Sequence, residues 1–130
     1  MKSKLVLVAT AIFLGAAGLA LTFAPDEVAR RLSPQGGDIV VRLAQFAGAL
    51  CLGSATANWM CRDNSVGGIY GRPLTIGNLV QFLVAGLSLG KAVVAGHREP
   101  VLVVVASCCV LLALAFSVIA FGPSKVGVSK

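Results

Sequence analysis

The residues of this sequence that could do chemistry gather at the junction of two apolar runs, in the loop and in the adjoining turns of both runs. Together they offer two guanidinium groups, one carboxylate, three amides and a phenol. The candidate polar or ligand site consists of Asn58, Arg62, Asp63, Tyr70, Arg72, Asn78 and Gln81.

Arg72 carries the most specific chemistry of this stretch. Pro73 follows it and favours the first turn of a helix, so the cation would lie beside the free amides of a helix N-terminus. Such a site suits an anion, for instance a lipid phosphate or a carboxylate. The alternative is an ordered hairpin, stabilised by an ion pair of Arg62 or Arg72 with Asp63. The sequence leaves both readings open.

A second set of polar side chains lies inside the apolar runs, on one helical face of each of two runs. These faces consist of Arg42, Gln45, Ala49, Gly53 and Thr56, and of Asn78, Gln81, Ala85, Ser88 and Ala92. We expect both to point into a bundle, because amide and guanidinium groups are costly in hydrocarbon unless they have partners. Arg42, one turn inside its run, can instead extend its head group to the interface.

Motifs of catalysis and metal binding are missing from the sequence. It has one histidine, His97, so no histidine pair exists for a metal or haem site. No phosphate-binding loop, nucleophile elbow or H-E-x-x-H motif occurs. The cysteines form no C-x-x-C motif, and we predict free thiols at Cys51, Cys61, Cys108 and Cys109. We therefore expect no metal and no cofactor, and we favour a non-enzymatic protein.

The composition is that of a membrane protein. Of 130 residues, 57% are hydrophobic and 12% are charged, whereas a soluble domain carries about a quarter of its residues as charged side chains. A water-facing surface could not be built from so few charges, which argues against a soluble enzyme. The formal net charge of +6 needs no nucleic acid to explain it, because basic residues at the ends of spans meet anionic lipid headgroups.

Four apolar runs are long enough to cross a bilayer. They cover about residues 5–24, 39–60, 74–95 and 101–121, separated by proline, glycine and polar residues. The first run exceeds the length of a signal-peptide core and is interpreted as a span. The sequence thus predicts an all-α, up-down-up-down bundle of four transmembrane helices, a single domain over residues 1–130.

Two further patterns refine this plan. Residues 25–32 begin with proline and carry acidic residues before basic ones, which predicts a short interfacial helix after the first span. Small residues recur at helical spacing in the first and fourth spans, which indicates close helix packing within the chain or between copies. These stripes are Ala11, Gly15, Gly18 and Thr22, and Ala106, Cys109, Ala113, Ser117 and Ala120.

The basic residues near the span ends bear on orientation, since Lys and Arg favour the cytoplasmic side. The N-terminal side holds six of them and the opposite side five, which places both termini in the cytoplasm by a small margin. So small a difference leaves a dual-topology protein open. The two sets are Lys2, Lys4, Arg62, Arg72, Lys125 and Lys130, and Arg30, Arg31, Arg42, Lys91 and Arg98.

The four-span plan, with Phe-Ala-Pro-Asp-Glu-Val-Ala-Arg-Arg-Leu after the first span, resembles small bacterial membrane proteins of the DoxX-like kind. The segment Gly-Gly-Ile-Tyr-Gly-Arg-Pro-Leu is similar to a signature in hypothetical proteins of similar size. The resemblance implies a bacterial inner-membrane protein without an assigned activity, and it supplies no catalytic residue.

Three functions are compatible with these observations. The first is a structural or accessory bundle that packs on itself or on a larger membrane complex. The second is a homo-oligomeric transporter or channel for small solutes, with Gln45 and Gln81 lining a path. The third is a lipid-binding or lipid-modifying protein that uses the loop around Arg72. In each case membrane lipids are expected partners and nucleic acid is not.

Overall fold

The computed structural model describes residues 2–63 and 71–122, and most of these residues are helical. No strand occurs within those two ranges, so the predicted all-α fold is confirmed. The helices are α1 (Lys2–Phe23), α2 (Pro25–Leu32), α3 (Gly37–Met60), α4 (Gly71–Val94) and α5 (Pro100–Phe121).

Four of these helices, α1, α3, α4 and α5, are long and apolar enough to cross a membrane. Each has 22 or 24 residues, and about 20 suffice for a bilayer. The four predicted spans are therefore confirmed as the helices of a multi-pass membrane protein. Helix α4 begins at Gly71, earlier than predicted, because Pro73 in the first turn has no helical hydrogen bond to lose.

The described helices belong to two compact units, Met1–Asp63 and Asn64–Lys130. Within the first unit α1 and α3 run antiparallel, and within the second α4 and α5 do the same, as short connections predict. The single domain expected over residues 1–130 stays a prediction.

Small residues hold α1 against α3. A Cβ atom at Gly18 would come within 3.0 Å of the Gly48 carbonyl oxygen, and one at Gly48 would come within 2.6 Å of Thr22 Oγ1. The two backbones can approach this closely only because glycine has no side chain. The stripe predicted from Gly15, Gly18 and Thr22 is thus a packing face within the first unit.

Helix α2 matches the predicted short helix at Pro25–Leu32. Glu27 accepts hydrogen bonds from Arg31 at 2.8 Å and from Arg30 at 3.2 Å, the spacing that brings side chains together on one helix face. These two arginines lower the pKa of the Glu27 carboxyl, chiefly through the Arg31 hydrogen bond. The opposite side of α2 buries Pro25 and Ala29.

The second unit is built around two aromatic rings. Phe82 of α4 and Phe116 of α5 are almost completely buried and stack with their ring centroids 6.0 Å apart. Gly86 lies against the backbone of Cys109 and Val110, which lets α4 and α5 approach closely. The buried small residues of α5 are Ala106, Cys109 and Ala113.

Helix α4 ends through a glycine turn. Gly96 has a φ of +106°, a conformation that costs other residues more than glycine. The His97 amide donates to the Ala92 carbonyl and the Gly96 amide to the Val93 carbonyl, which satisfies two of the last carbonyl groups of the helix. This turn leads directly into Pro100 at the start of α5.

Candidate functional site

The end of the first unit brings three predicted site residues together: Asn58, Arg62 and Asp63. Asn58 is fully buried in the last turn of α3, where its Nδ2 donates to the Ser54 carbonyl at 2.8 Å. Asp63 lies just beyond the helix and is exposed. The buried amide and the exposed carboxylate thus belong to different environments, although only five positions separate them.

Arg62 closes the C-terminus of α3. Its Nη1 donates to the Trp59 carbonyl at 2.8 Å, and its guanidinium carbon lies 4.4 Å from the centroid of the Trp59 ring. Its Nε lies 3.4 Å from Asp63 Oδ2. The Arg62–Asp63 ion pair proposed for an ordered hairpin is therefore present. A cation here also interacts favourably with the negative end of the helix dipole.

Lys4 joins this cluster from the start of α1, and sequence reasoning missed it. Its Nζ donates to Asp63 Oδ1. This hydrogen bond is the largest cause of the lowered pKa of the Asp63 carboxyl, and the charges of Lys4 and Arg62 act in the same direction. The sequence places Lys4 and Asp63 at span ends on the same side, but no local pattern pairs two residues that lie 59 positions apart.

The predicted site residues of the second unit lie along α4. Arg72 is exposed in the first turn, whereas Asn78 is buried and donates from Nδ2 to the Leu74 carbonyl at 2.9 Å. Gln81, one turn further on, is half-buried. The anion site at Arg72 stays a prediction, and Tyr70 lies outside the described residues.

Two neighbouring residues extend the buried part of α4 beyond the predicted set. Thr75 is 3% exposed and its Oγ1 donates to the Gly71 carbonyl at 2.7 Å. Together with Asn78 it shows that polar groups on this face bond to the carbonyl four residues back. On the predicted face of α4, Asn78 is buried and Ser88 is exposed, and the inward orientation of the whole face stays a prediction.

The second polar face takes no part in the contact of α3 with α1 inside the first unit, and its inward orientation stays a prediction. Arg42 and Gln45 are exposed, and so are the residues that continue the face, Ala49, Gly53 and Thr56. The physical reason is that α3 turns a different side, with Gly48 and Ala55, toward α1, because those residues permit the closest backbone approach. The polar face is rotated away from that contact.

Two hydroxyl groups of α1 are buried, and sequence reasoning gave neither a polar role. Thr10 is completely buried and Thr22 half-buried, and neither Oγ1 has a hydrogen-bond partner within residues 2–63 and 71–122. Thr10 lies next to Ala11 of the small-residue stripe, which was the only available signal. An unpaired buried hydroxyl costs stability, so these groups matter to the energetics of the first unit.

The side chains in the described ranges give little support for metal binding or redox chemistry. No group of three His, Cys, Asp or Glu side chains there could hold a metal ion. The four cysteines are free thiols, as predicted, and Cys109 is buried. His97 is exposed in the turn between α4 and α5.

Comparison of the chain with protein-family models, with curated proteins and with solved structures found no match.

Proposed function

We propose that this chain is a structural or accessory membrane protein, a set of packed helices that associates with itself or with a larger membrane complex. The observation that carries the proposal is that two buried amides inside the spans donate hydrogen bonds to the backbone of their own helices. Asn58 and Asn78 each direct an amide N–H to a carbonyl of their own helix, at 2.8 and 2.9 Å. Groups engaged in this way support helix packing.

Close helix contacts support the same proposal. The glycine contacts between α1 and α3 and the Phe82–Phe116 stack between α4 and α5 make each unit a tightly packed helix pair. Outside these contacts the helices expose large apolar side chains, among them Leu50, Val84 and Leu114. Such surfaces suit lipid or the helices of a partner.

The test compares assembly with solute flux. Asn78→Ala is expected to lower the thermal stability or the assembled fraction of the purified protein in mild detergent. Proteoliposomes containing the wild-type protein are expected to show only background flux of small solutes. Flux above background that Asn78→Ala or Gln81→Ala abolishes would overturn the proposal and favour an oligomeric transporter or channel. Pro73→Ala provides a control, because this residue is exposed in the first turn of α4.

Membrane lipids are proposed partners at the basic end of the first unit. Trp59 is 49% exposed beneath the Arg62 guanidinium, and tryptophan favours the headgroup region of a bilayer. Retention of an anionic lipid in native mass spectrometry that is lost in Arg62→Gln would support this role, and loss in Arg72→Ala would support the separate anion site predicted at the start of α4. Equal retention by the wild type and both variants would exclude these two residues.

We place the protein in a bacterial inner membrane with both termini in the cytoplasm. The resemblance to DoxX-like proteins supports the first statement. The excess of basic residues on the N-terminal side, six against five, supports the second. Reporter fusions to the C-terminus test the orientation, and a reporter active only in the periplasm would contradict it.

A further inference from the structure

Two basic side chains of the first unit close on one carboxylate at the ends of α1 and α3. Lys4 Nζ donates to Oδ1 of Asp63, and Arg62 Nε lies 3.4 Å from Oδ2 of the same group. The ring of Trp59 lies against the Arg62 guanidinium, with its centroid 4.4 Å from the guanidinium carbon. We call Lys4, Arg62 and Trp59 the basic clamp. All of these contacts join residues of the first unit.

The basic clamp is held together by more than its carboxylate. Lys4 lies in the first turn of α1, and Arg62 follows the end of α3, so the packing of these two antiparallel helices brings the cations to the same end of the unit. Arg62 Nη1 also donates to the Trp59 carbonyl at 2.8 Å. The position of Arg62 therefore has support that does not involve Asp63.

The clamp has more hydrogen-bond donors than Asp63 uses. A lysine ammonium has three N–H donors and an arginine guanidinium has five. Contacts with residues 2–63 and 71–122 engage one donor of Lys4 and at most two of Arg62. Two cations around one carboxylate also leave one positive charge in excess. An anion with several oxygen atoms can satisfy both the charge and the remaining donors.

The position of the clamp along the spans favours a lipid phosphate as that anion. The span of α1 begins at Ser3 and the span of α3 ends at Met60, so the two cations lie at neighbouring span ends. Basic and tryptophan side chains at such ends meet the headgroups of the bilayer. Phosphate groups of lipids are therefore the anions that the clamp meets at the highest local concentration.

We propose that the basic clamp binds the phosphate group of an anionic phospholipid, and that Asp63 is an internal competitor that occupies the clamp when no lipid is bound. A carboxylate resembles a phosphodiester in its single negative charge and its two charged oxygen atoms. Asp63 lies beyond the end of α3 at Met60, so its side chain can leave the clamp without unwinding the helix. This inference rests on the proposed function, in which lipids are partners at this end, and adds Lys4 and the opposing role of Asp63.

The experiment uses Trp59, the only tryptophan of the chain, as the reporter of lipid at the clamp. The full chain is placed in phosphatidylcholine vesicles that contain increasing fractions of phosphatidylglycerol brominated on its acyl chains, because bromine quenches the fluorescence of a nearby indole ring. Brominated phosphatidylcholine at the same fractions gives the quenching by random lipid contact. Comparison of the two gives the relative affinity of the clamp for the anionic lipid.

Removal of the competing carboxylate should strengthen lipid binding. Asp63→Asn is expected to raise the relative affinity roughly 3- to 10-fold, the effect of removing one charge about 4–5 Å from a phosphate in water. Asp63→Ala should give a similar rise, so the result does not depend on the folding of one variant. Asp26→Asn is the matched control, because it changes the net charge equally and Asp26 forms no ion pair with a residue of the described ranges. It should leave the relative affinity unchanged.

The two cations are tested in the Asp63→Asn background. Lys4→Gln or Arg62→Gln should return the relative affinity to the wild-type value or below it, because each removes one half of the clamp. The brominated phosphatidylcholine control corrects for any change that Arg62→Gln makes in the emission of Trp59. A rise no larger than that of Asp26→Asn, or a rise that survives both substitutions, would show that Asp63 belongs to an ordinary surface ion pair and would overturn the proposal.

Inorganic phosphate distinguishes a lipid phosphate from a free one. Phosphate added to the aqueous phase, compared with chloride at the same ionic strength, should leave the preference of Asp63→Asn for phosphatidylglycerol unchanged. If added phosphate abolished that preference, or changed the emission of Trp59 in a chain without any lipid preference, the clamp would be a site for free phosphate and the lipid assignment would be wrong.

These outcomes are separable from a failure of the proposed lipid partnership. Lipid retention that Arg62→Gln abolishes and Asp63→Asn leaves at the wild-type level would overturn the competitor role of Asp63 and leave the partnership standing. Conversely, a preference for phosphatidylglycerol that appears only in Asp63→Asn would confirm the clamp and its internal competitor, and it would overturn lipid retention by the wild type.

Discussion

Hydroxyl groups inside the helices differ in whether their own helix satisfies them. Thr56, Thr75, Ser107 and Ser117 each donate to the carbonyl four residues back, at 2.7 to 2.9 Å. Thr10 is buried just as deeply as any of them, yet its Oγ1 has no hydrogen-bond partner in the part of the chain that the structure describes. Residues of the same type thus make opposite contributions to stability.

Thr10→Val is therefore expected to stabilise the protein. The substitution keeps the shape of the side chain and removes an unpaired hydroxyl, a gain of roughly 1 kcal/mol. Thermal unfolding in detergent, followed by circular dichroism, measures the effect. Thr75→Val is the matched control, because it removes a formed hydrogen bond and should cost about 0.5–1.5 kcal/mol. If both variants lost stability equally, the hydroxyl of Thr10 would have a partner after all.

The Lys4–Asp63 hydrogen bond predicts a pH dependence at the end of the first unit. The pKa of Asp63 is lowered in the folded chain, first by the hydrogen bond from Lys4. A carboxyl whose folded pKa is lowered contributes stability above its unfolded value of 3.8, and this contribution disappears as the pH falls through the folded pKa. We expect the wild type to lose more stability than Asp63→Asn between about pH 5 and pH 3.

Unfolding midpoints measured across that pH range check the difference. Because both side chains are exposed, the effect should be small and should shrink at high salt. Asp26→Asn serves as a control, since Asp26 is exposed and lies on α2, away from Lys4 in the sequence. An Asp63→Asn variant with the same pH profile as the wild type would mean that the Lys4 contact does not persist in solution.

At the scale of elements, the packing of α1 on α3 depends on Gly48, where an added Cβ atom would have the least room. A Cβ atom at Gly48 would lie 2.6 Å from Thr22 Oγ1 and 3.0 Å from the Thr22 backbone nitrogen. The hydroxyl can rotate, but the backbone atom can move only if the whole helix moves. The contact therefore tolerates no side chain at this position without separating the two helices.

Gly48→Ala is expected to lower the free energy of unfolding by about 1–3 kcal/mol, the usual cost of overpacking. Gly77→Ala should instead raise it by about 0.5–1 kcal/mol, because alanine is the better helix former and the Cβ meets nothing. Unfolding by denaturing detergent, monitored by circular dichroism, distinguishes the loss of stability expected for Gly48→Ala from the gain expected for Gly77→Ala. Equal effects would mean that α1 and α3 are not held by this contact.

The sequence predicted the positions of the helices well, but it predicted only some of the faces through which they pack. Proline, charge order and apolar run length placed α2 at Pro25–Leu32 and the four spans within a few residues of their observed ends. The face of α1 with Gly15 and Gly18 was also found, because small residues at helical spacing indicate close packing.

The direction of the polar faces could not be predicted with the same rules. In α3 both the side with Gly48 and Ala55 and the side with Ala49 and Gly53 have small residues at helical spacing, so periodicity alone does not say which one meets α1. The cost of an exposed amide argued for burying Gln45, but that argument applies equally to a partner from another chain. Lys4 was missed because an ion pair between residues 59 positions apart leaves no local pattern.

At the scale of the whole molecule, orientation depends on the basic residues near the span ends. They number six on the N-terminal side and five on the other, so the preference for a single orientation is small.

Because the two sides differ by only one basic residue, the removal of two basic residues from the N-terminal side should change the orientation of the chain. Lys2→Ala with Lys4→Ala changes the count from six against five to four against five, and these residues flank the first span, which usually has the largest influence. We expect this double variant to insert in both orientations. Arg30→Ala with Arg31→Ala changes the count to six against three and should keep one orientation, because it strengthens the same bias.

Labelling of His97→Cys, in a chain whose native cysteines are replaced by alanine, measures the outcome. The turn with His97 lies between α4 and α5, on the side opposite the N-terminus of a four-span chain. A membrane-impermeant maleimide added from outside should label the parent and the arginine variant fully and the lysine variant in part. Partial labelling of all three would mean that the chain has dual topology.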